Sequence, residues 1–292
     1  MLFFSQLING LPLGSIYALV ALGYSMVYGI ILLLNFAHGD IIMVGGYIAL
    51  LAITAGLPTY IAVPLSIIGC ILLACIIDKV AYSPLRKAPR ISLLITAIGV
   101  SLLLQNLAQL IFSAKSQPFP SSVVIPKGNV NIGGFAISYT ALVTLVVAVV
   151  SMLLLTWLVQ KSKMGKAMRA VSEDMGAAQL MGISVNSTIS FTFAVGSALA
   201  GIGAILYCCR YPQVSPTMGS LLGLKAFVAA VLGGIGSIPG AMLGGFAIGL
   251  CEVLVTSLGG SAWTDAVVFA ILIVVLLIKP TGFMGKAMSE KV

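Results

Sequence analysis

The chain holds one histidine, His38, inside the string Asn35-Phe36-Ala37-His38-Gly39-Asp40, which sets an amide, an imidazole and a carboxylate within six residues. One imidazole cannot build a histidine metal cluster or a two-histidine relay unless another chain supplies the rest. The five cysteines, Cys70, Cys75, Cys208, Cys209 and Cys251, fall in apolar runs at no metal-ligand spacing, and their number is odd. They read as small hydrophobes, with a reactive thiol at Cys208 or Cys209 as the minor alternative. No G-x-x-x-x-G-K-[ST] loop is present, so this chain alone does not bind and hydrolyse ATP in the P-loop manner. No catalytic constellation and no cofactor site is legible. The groups at Asn35, His38 and Asp40 lie between apolar runs, where they must face water, protein or one another. Three readings stand open: a polar turn in which Asn35 or Asp40 caps a helix, a gate or lining of a solute pathway, and a contact with a partner subunit.

Six further polar side chains fall within or beside long apolar runs: Asn9, Gln105, Asn106, Lys225, Glu252 and Asp265. An ionisable group at membrane depth is a functional candidate by default, because hydrocarbon solvates charge poorly. Lys225 and Asp265 stand near run ends, where a side chain can snorkel to the interface. Glu252 is the deepest, and with Asn35, His38, Asp40 and Asn106 it forms the set of pathway candidates. A structural hydrogen bond to a neighbouring helix suits Glu252 equally well.

The most informative polar stretch runs Gly165-Lys166-Ala167-Met168-Arg169-Ala170-Val171-Ser172-Glu173-Asp174-Met175-Gly176-Ala177-Ala178-Gln179-Leu180-Met181-Gly182-Ile183. It predicts a short helix outside the membrane, with Ser172 as N-cap and Glu173 and Asp174 in the positively polarised first turn. Ala177, Ala178 and Met181 give a small apolar face, and Gly182 stops the helix. Such a helix beneath a bundle has nothing of its own chain to bury against. A docking surface for a soluble partner follows, with a helix resting on lipid as the alternative.

What must hold these residues is an all-α integral membrane protein, a polytopic helical bundle of one domain over residues 1–292. The chain is 60% hydrophobic and 8% charged, where soluble domains are about one quarter charged, and its mean hydropathy is +1.17. Apolar runs bounded by Gly, Pro and charge predict spans at about 5–33, 41–57, 60–82, 91–113, 138–160, 188–209, 219–235, 239–257 and 263–279. The glycines and prolines of the first 34 residues and of 210–240 can break a span, which leaves the count between about 8 and 10. External connections are expected at 114–137 and 210–218.

The net charge of +8 does not point to nucleic acid, because eleven of the fifteen Lys and Arg fall in three short segments between spans. These are Lys79, Arg86, Lys87 and Arg90; Lys161, Lys163, Lys166 and Arg169; and Lys279, Lys286 and Lys291. The positive-inside rule puts all three in the cytoplasm, the second as a loop over about 161–187. The basic loops around 83–90 and 161–187 need an even number of spans between them, and two are visible. With no Lys or Arg before Lys79, the N-terminus is expected outside and the first span is expected to be retained rather than cleaved as a signal. The C-terminus is expected in the cytoplasm.

Glycines crowd the region after Leu232, and Gly236, Gly240 and Gly244 recur every four residues. On one helix that spacing makes a smooth stripe for close packing, which Pro239 interrupts. Tight packing with a turn at 236–240 is one reading; a broken helix lining a pathway is the other. A loose similarity links residues 39–49 with 236–249 and suggests a two-half architecture.

At residues 173–182 the chain resembles the permeases of ABC importers, whose cytoplasmic coupling helix carries Glu-Ala-Ala and then Gly. The elements here are Glu173, Ala177, Ala178 and Gly182, with the alanines set apart from the glutamate. The resemblance implies that Glu173, Asp174, Ala177, Ala178, Met181 and Gly182 couple to an ATPase. The opening Asn9-Gly10-Leu11-Pro12-Leu13-Gly14-Ser15-Ile16-Tyr17-Ala18-Leu19, the Asn35–Asp40 string, Gly223-Leu224-Lys225-Ala226-Phe227 and Gly233-Gly234-Ile235-Gly236-Ser237-Ile238-Pro239-Gly240 narrow it. Together they look like the LivH-type permease of bacterial high-affinity branched-chain amino acid importers. That resemblance implies a multi-pass subunit of the bacterial inner membrane, paired with a LivM-like permease and two LivG- and LivF-like ATPases that use the ATP. It also implies a periplasmic binding protein delivering leucine, isoleucine or valine, and transport by alternating access. Related permeases carry urea, amides or other amino acids, and these residues do not separate the cargoes. A stand-alone secondary transporter or channel has no need of a docking helix. A membrane-embedded enzyme is disfavoured by one histidine and no motif.

Overall fold

The computed structural model describes residues 2–31, 35–86, 88–132 and 135–285, without the side chains of residues 2–9, 31, 90, 132 and 135. Lys87, Gly133, Gly134, Lys286, Lys291 and the Asn9 side chain lie outside the described residues.

Hydrocarbon offers a backbone no hydrogen bonds, so each apolar run must satisfy its own as a helix. In chain order the helices are α1 (Leu2–Ile31), α2 (His38–Thr54), α3 (Thr59–Ile77), α4 (Arg90–Phe112), α5 (Ser121–Val124), α6 (Tyr139–Lys161), α7 (Lys163–Glu173), α8 (Met175–Leu180), α9 (Val185–Arg210), α10 (Met218–Gly233), α11 (Ile238–Ser257) and α12 (Thr264–Ile278). Among the described residues seven helices are long and apolar enough to cross a membrane, and α2 and α10 are apolar but shorter. At 17 and 16 residues these two reach about 25 Å, less than a hydrocarbon core of about 30 Å. The fold is therefore an all-α polytopic membrane bundle, with a helix at each of the nine expected spans.

The ends of the bundle are distinguished by what meets there. At one end Arg86 hydrogen-bonds Asn186, and the backbone amides of Phe283 and Met284 donate to the carbonyls of Leu232 and Gly233. The first two basic segments therefore meet at this basic end, and the residues after Lys279 lie against the C-terminal end of α10. At the other end β1 (Gln117–Pro118) pairs antiparallel with β4 (Gln213–Val214). The Phe119 amide donates to the Pro212 carbonyl there. The two connections expected to be external thus pack on each other, while β2 (Asn129–Ile132) and β3 (Phe135–Ser138) form a local hairpin.

Two expectations about breaks change. Helix α1 runs through Pro12 without ending. Pro239 interrupts nothing: it lies in the first turn of α11, where a missing amide costs no helical bond, and Ser237 caps that turn by accepting from the Gly240 amide. Gly236 lies in the preceding turn at φ 86°, so only Gly240 and Gly244 of the expected stripe are helical. They face the α10 backbone at Gly233 and Ala229, and Gly245 and Gly249 face α1 at Ala18 and Gly14. A β-carbon at any of the four would overlap the opposing backbone. Small residues let these helices touch, which is how helices gain contact where lipid removes the hydrophobic drive.

The packing also repeats. Helix α1 lies along α11 as α9 lies along α3; α2 sits against α9 and α3 as α10 sits against α1 and α11; and α1 meets α9 as α2 meets α10. The two halves are thus α1–α4 and α9–α12, which pairs α2 with α10 and corrects the expected match of residues 39–49 with 236–249.

Candidate functional site

The Asn35–Asp40 string is folded into the bundle. Asn35, His38 and Asp40 are exposed by only 2%, 1% and 0%. Neither Asn35 nor Asp40 caps α2, whose cap position is Ala37 with no side-chain bond. The capping reading therefore fails. Asn35 Oδ1 accepts from the Tyr82 hydroxyl at 2.7 Å, and the Tyr82 ring lies 5.5 Å from that of Phe193 on α9. His38 meets the Tyr24 ring edge-on at 4.7 Å. Asp40 Oδ1 accepts from Gln105 Nε2 at 3.0 Å, and the same amide nitrogen lies 3.1 Å from Ser101 Oγ.

Gly39 makes this burial possible. A β-carbon there would fall on the carbonyl oxygen of Gly219, so the first turns of α2 and α10 cross backbone to backbone. Beside the crossing opens a cleft of about 210 Å³. Tyr24 and Phe36 wall it with rings, Ile98, Leu102 and Leu224 with aliphatic groups, and Ser101, Gln105 and Ser220 with polar groups.

Two other buried carboxylates have cations. Glu252 Oε1 lies 2.6 Å from Lys225 Nζ, which also lies 2.6 Å from Asp265 Oδ1. The Tyr17 hydroxyl donates to Glu252 Oε2 at 2.8 Å. Lys225 is buried and does not snorkel; Asp265, half exposed in the first turn of α12, is the member at a span end. Asp78, in a π-helical turn over 78–82, pairs with Arg86 at 2.5 Å and accepts from the Ser190 hydroxyl at 2.5 Å. Asn106 stands apart on the exposed face of α4, its Nδ2 donating to the Leu102 carbonyl of its own helix at 2.7 Å. Among the described residues no group of three or more His, Cys, Asp or Glu could hold a metal ion.

The expected single helix over 172–182 is two. Ser162 caps α7 by accepting from the Gly165 amide at 2.8 Å. Helix α7 buries Met168 and Val171 and packs on α6, α9 and α1, so this part of the loop does bury against its own chain. Ser172 lies inside α7, its hydroxyl donating to the Arg169 carbonyl, and is not a cap. That role falls to Asp174, whose Oδ1 accepts from the Ala177 amide at 2.9 Å, because its extended backbone (φ −156°, ψ 113°) ends α7 and starts α8. Glu173 is therefore the last residue of α7. Gly182 stops the chain as expected: at φ 81° it lets its own amide donate to Gln179 and that of Ile183 to Ala178, both at 3.0 Å, the paired closure of a Schellman end. Ala178 turns inward, Ala177 is exposed, and Leu180 and Met181 are 90% and 82% exposed.

The family described as "Branched-chain amino acid transport system / permease component" matches residues 6–276. The chain belongs to that family. It is 43% identical to the high-affinity branched-chain amino acid transport system permease protein BraD of Pseudomonas aeruginosa, over 99% of this chain and 98% of that one. It is 41% identical to the corresponding LivH protein of Escherichia coli K12, with the same shares covered. A probable branched-chain amino acid transport permease protein LivH of Methanocaldococcus jannaschii is 31% identical, over 93% of this chain and 89% of that one.

In this permease the structure joins only some of the residues singled out by sequence. Asp40 meets Gln105 at the cleft, with His38 and Asn35 packed nearby in the same segment; Glu252 belongs to a separate cluster with Lys225; Asn106 joins neither. Tyr17, Tyr24, Tyr82, Ser101, Ser220 and Leu180 were missed. Tyrosines and serines in apolar runs carry no period that marks them, and only their partners on distant helices give them roles. Asp78 is not singled out in the sequence, where it falls inside the expected span 60–82, and Arg86 reads only as one member of a basic group with Lys79, Lys87 and Arg90.

Proposed function

We propose that this permease is one transmembrane half of an ATP-driven importer that carries leucine, isoleucine and valine across the bacterial inner membrane. Its partners are a second, LivM-like permease, two LivG- and LivF-like ATPases and a periplasmic binding protein. The basic end faces the cytoplasm, by the positive-inside rule, with the C-terminus there and the N-terminus in the periplasm.

One observation carries the coupling claim: α8 is closed at both ends, yet among the described residues Leu180 at its end and Met181 just after it stand exposed. Exposed apolar side chains on a capped, polar-flanked helix suit a soluble partner, and an ATPase docked there has a mechanical route inward. Helix α7 continues α8 and packs on α6, α9 and α1, and α9 is tied through Ser190 to Asp78 and so to Arg86. Closure of the ATPase pair then moves α9, and with it the α2–α10 crossing, between two arrangements. The loaded binding protein docks at the opposite end.

The test is reconstitution of the permease with all four kinds of partner in proteoliposomes. Leucine uptake is expected only with ATP and the binding protein. Uptake down an ion gradient by this chain alone, or uptake without ATP, would overturn the proposal.

A further inference from the structure

Three buried carboxylates face the bundle interior, and their treatment differs. Glu252 has Lys225 and Asp78 has Arg86. Asp40 has only neutral neighbours: Gln105 donates to Oδ1, while Oδ2, fully buried, has no hydrogen-bond partner. A buried carboxylate at membrane depth calls for a cation or donor, and among the described residues the chain offers Asp40 no ion pair. The cleft adjoins it, since Gln105 and Ser101, which line the cleft, are the residues standing beside the Asp40 carboxylate. The first turn of α10 also lines the cleft, at Ser220. The cap residue of that helix, Thr217, makes no side-chain capping bond; the Met218 and Ser220 amides donate to the Ser215 and Thr217 carbonyls, and the helix dipole leaves this first turn positively polarised.

The Asp40 carboxylate thus stands behind the Ser101 and Gln105 lining of the cleft, the first turn of α10 brings positive polarisation at Ser220, and Ile98, Leu102 and Leu224 are its aliphatic lining. Its volume of about 210 Å³ is below the range of about 300 Å³ and upward of drug-sized sites, so its occupant is a small solute.

We propose that this cleft is an amino-acid station on the transport pathway: the substrate's ammonium group pairs with Asp40 once Gln105 swings aside, and its carboxylate lies over the first turn of α10 beside Ser220. The aliphatic side chain then rests on Leu102 and Leu224. This deepens the importer reading and rests on it. A neutral solute such as urea would leave Asp40 unpaired, so the charge pattern selects a zwitterion.

The test uses the complete importer in proteoliposomes with Ser220→Cys, the rate of alkylation at position 220 being read from the labelled peptide. With loaded binding protein and leucine at about ten times its apparent Kd, labelling is expected to slow about tenfold, since only the unoccupied fraction reacts. In the Asp40→Asn background that protection is lost, and in Asp40→Glu it returns. Leucine transport with no protection at position 220 in the Asp40 protein overturns the station but leaves the importer standing. Full protection in Asp40→Asn overturns the pairing. Absence of ATP-driven leucine uptake in the unsubstituted importer is the separate failure of the underlying reading. Where Asp40→Asn labels abnormally even without leucine, the Asp40→Glu protein decides: protection there supports the carboxylate's role, and its absence overturns it.

Discussion

Replacing Lys225 with methionine removes the cation from a buried ion pair of the permease. Lys225 Nζ lies 2.6 Å from both Glu252 Oε1 and Asp265 Oδ1, and the Lys225 and Glu252 side chains are 9% and 6% exposed. Breaking a buried pair by removing one partner leaves an uncompensated charge and costs about 3–5 kcal/mol. Tyr17 still donates to Glu252 Oε2, which keeps one charge-assisted bond worth about 1.5–3 kcal/mol and sets the expectation for Lys225→Met near the lower bound, about 3 kcal/mol. Asp265 is half exposed, so Asp265→Asn should cost no more than about 1 kcal/mol, the range of exposed pairs. The double variant Lys225→Met/Glu252→Met removes both charges at similar volume and should recover most of the loss, since apolar replacement of a whole buried pair is often neutral. Reversible denaturation of the purified permease in detergent measures these three and the Glu252→Met single, and the double-mutant cycle isolates the pair. A cost for Lys225→Met below about 1 kcal/mol, or a double variant as unstable as the sum of its singles, would refute the idea that the pair is desolvated and coupled.

Other expectations follow from single contacts. Gly39→Leu forces a side chain into the backbone of α10 at Gly219, so it should lower stability by at least the ~1–3 kcal/mol of overpacking, read as a drop in Tm of the detergent-solubilised protein. Leu180→Asp, at a position 90% exposed, should leave Tm nearly unchanged, within about ±0.5 kcal/mol, yet abolish co-purification of the ATPases and ATP-dependent uptake; retained uptake would remove α8 from the coupling route. Gly182→Ala puts a β-carbon at φ 81° and should cost about 1–2 kcal/mol locally, seen as faster hydrogen exchange across α8 with little change elsewhere. Tyr82→Phe deletes the bond to Asn35 and should cost about 1–3 kcal/mol, because the Asn35 acceptor stays buried without it.

The helices were legible because hydrocarbon leaves the backbone one solution: each apolar run longer than a few turns had to be helical. Their exact relation was not. The Asn35–Asp40 string read as a polar connection between two spans with its partners undecided, and the structure buries Asn35, His38 and Asp40, since Tyr82, Tyr24 and Gln105 reach in from α3's extension, α1 and α4. A polar residue announces that it needs a partner, and only the fold says where the partner is. The coupling loop failed in the same manner on a smaller scale. Ser172, Glu173 and Asp174 are all acceptable first-turn residues, and the choice among them was made by the extended backbone at Asp174 and by the burial of Met168 and Val171, which fixes where α7 must stop.

The repeated packing explains why the candidate site lies where it does. In each half a long helix, α1 or α9, is followed by a short one, α2 or α10, and each short helix packs on the long helix of the opposite half. Two helices about 25 Å long cannot each span a core of about 30 Å, so their first turns meet inside the bundle, where Gly39 and Gly219 touch. Two positively polarised helix ends are thereby brought together within one protein. An arrangement of that kind repels itself unless negative charge lies nearby, and Asp40, in the first turn of α2, is the negative charge the fold supplies. The sequence similarity between the halves is faint because what repeats is the length of the helices and the smallness of the residues at their crossing, neither of which requires the same amino acids. A carboxylate that serves both the crossing and the cleft beside it ties the geometry of the two short helices to occupancy of the cleft. Any motion of α9 that shifts the crossing must therefore change the surroundings of Asp40.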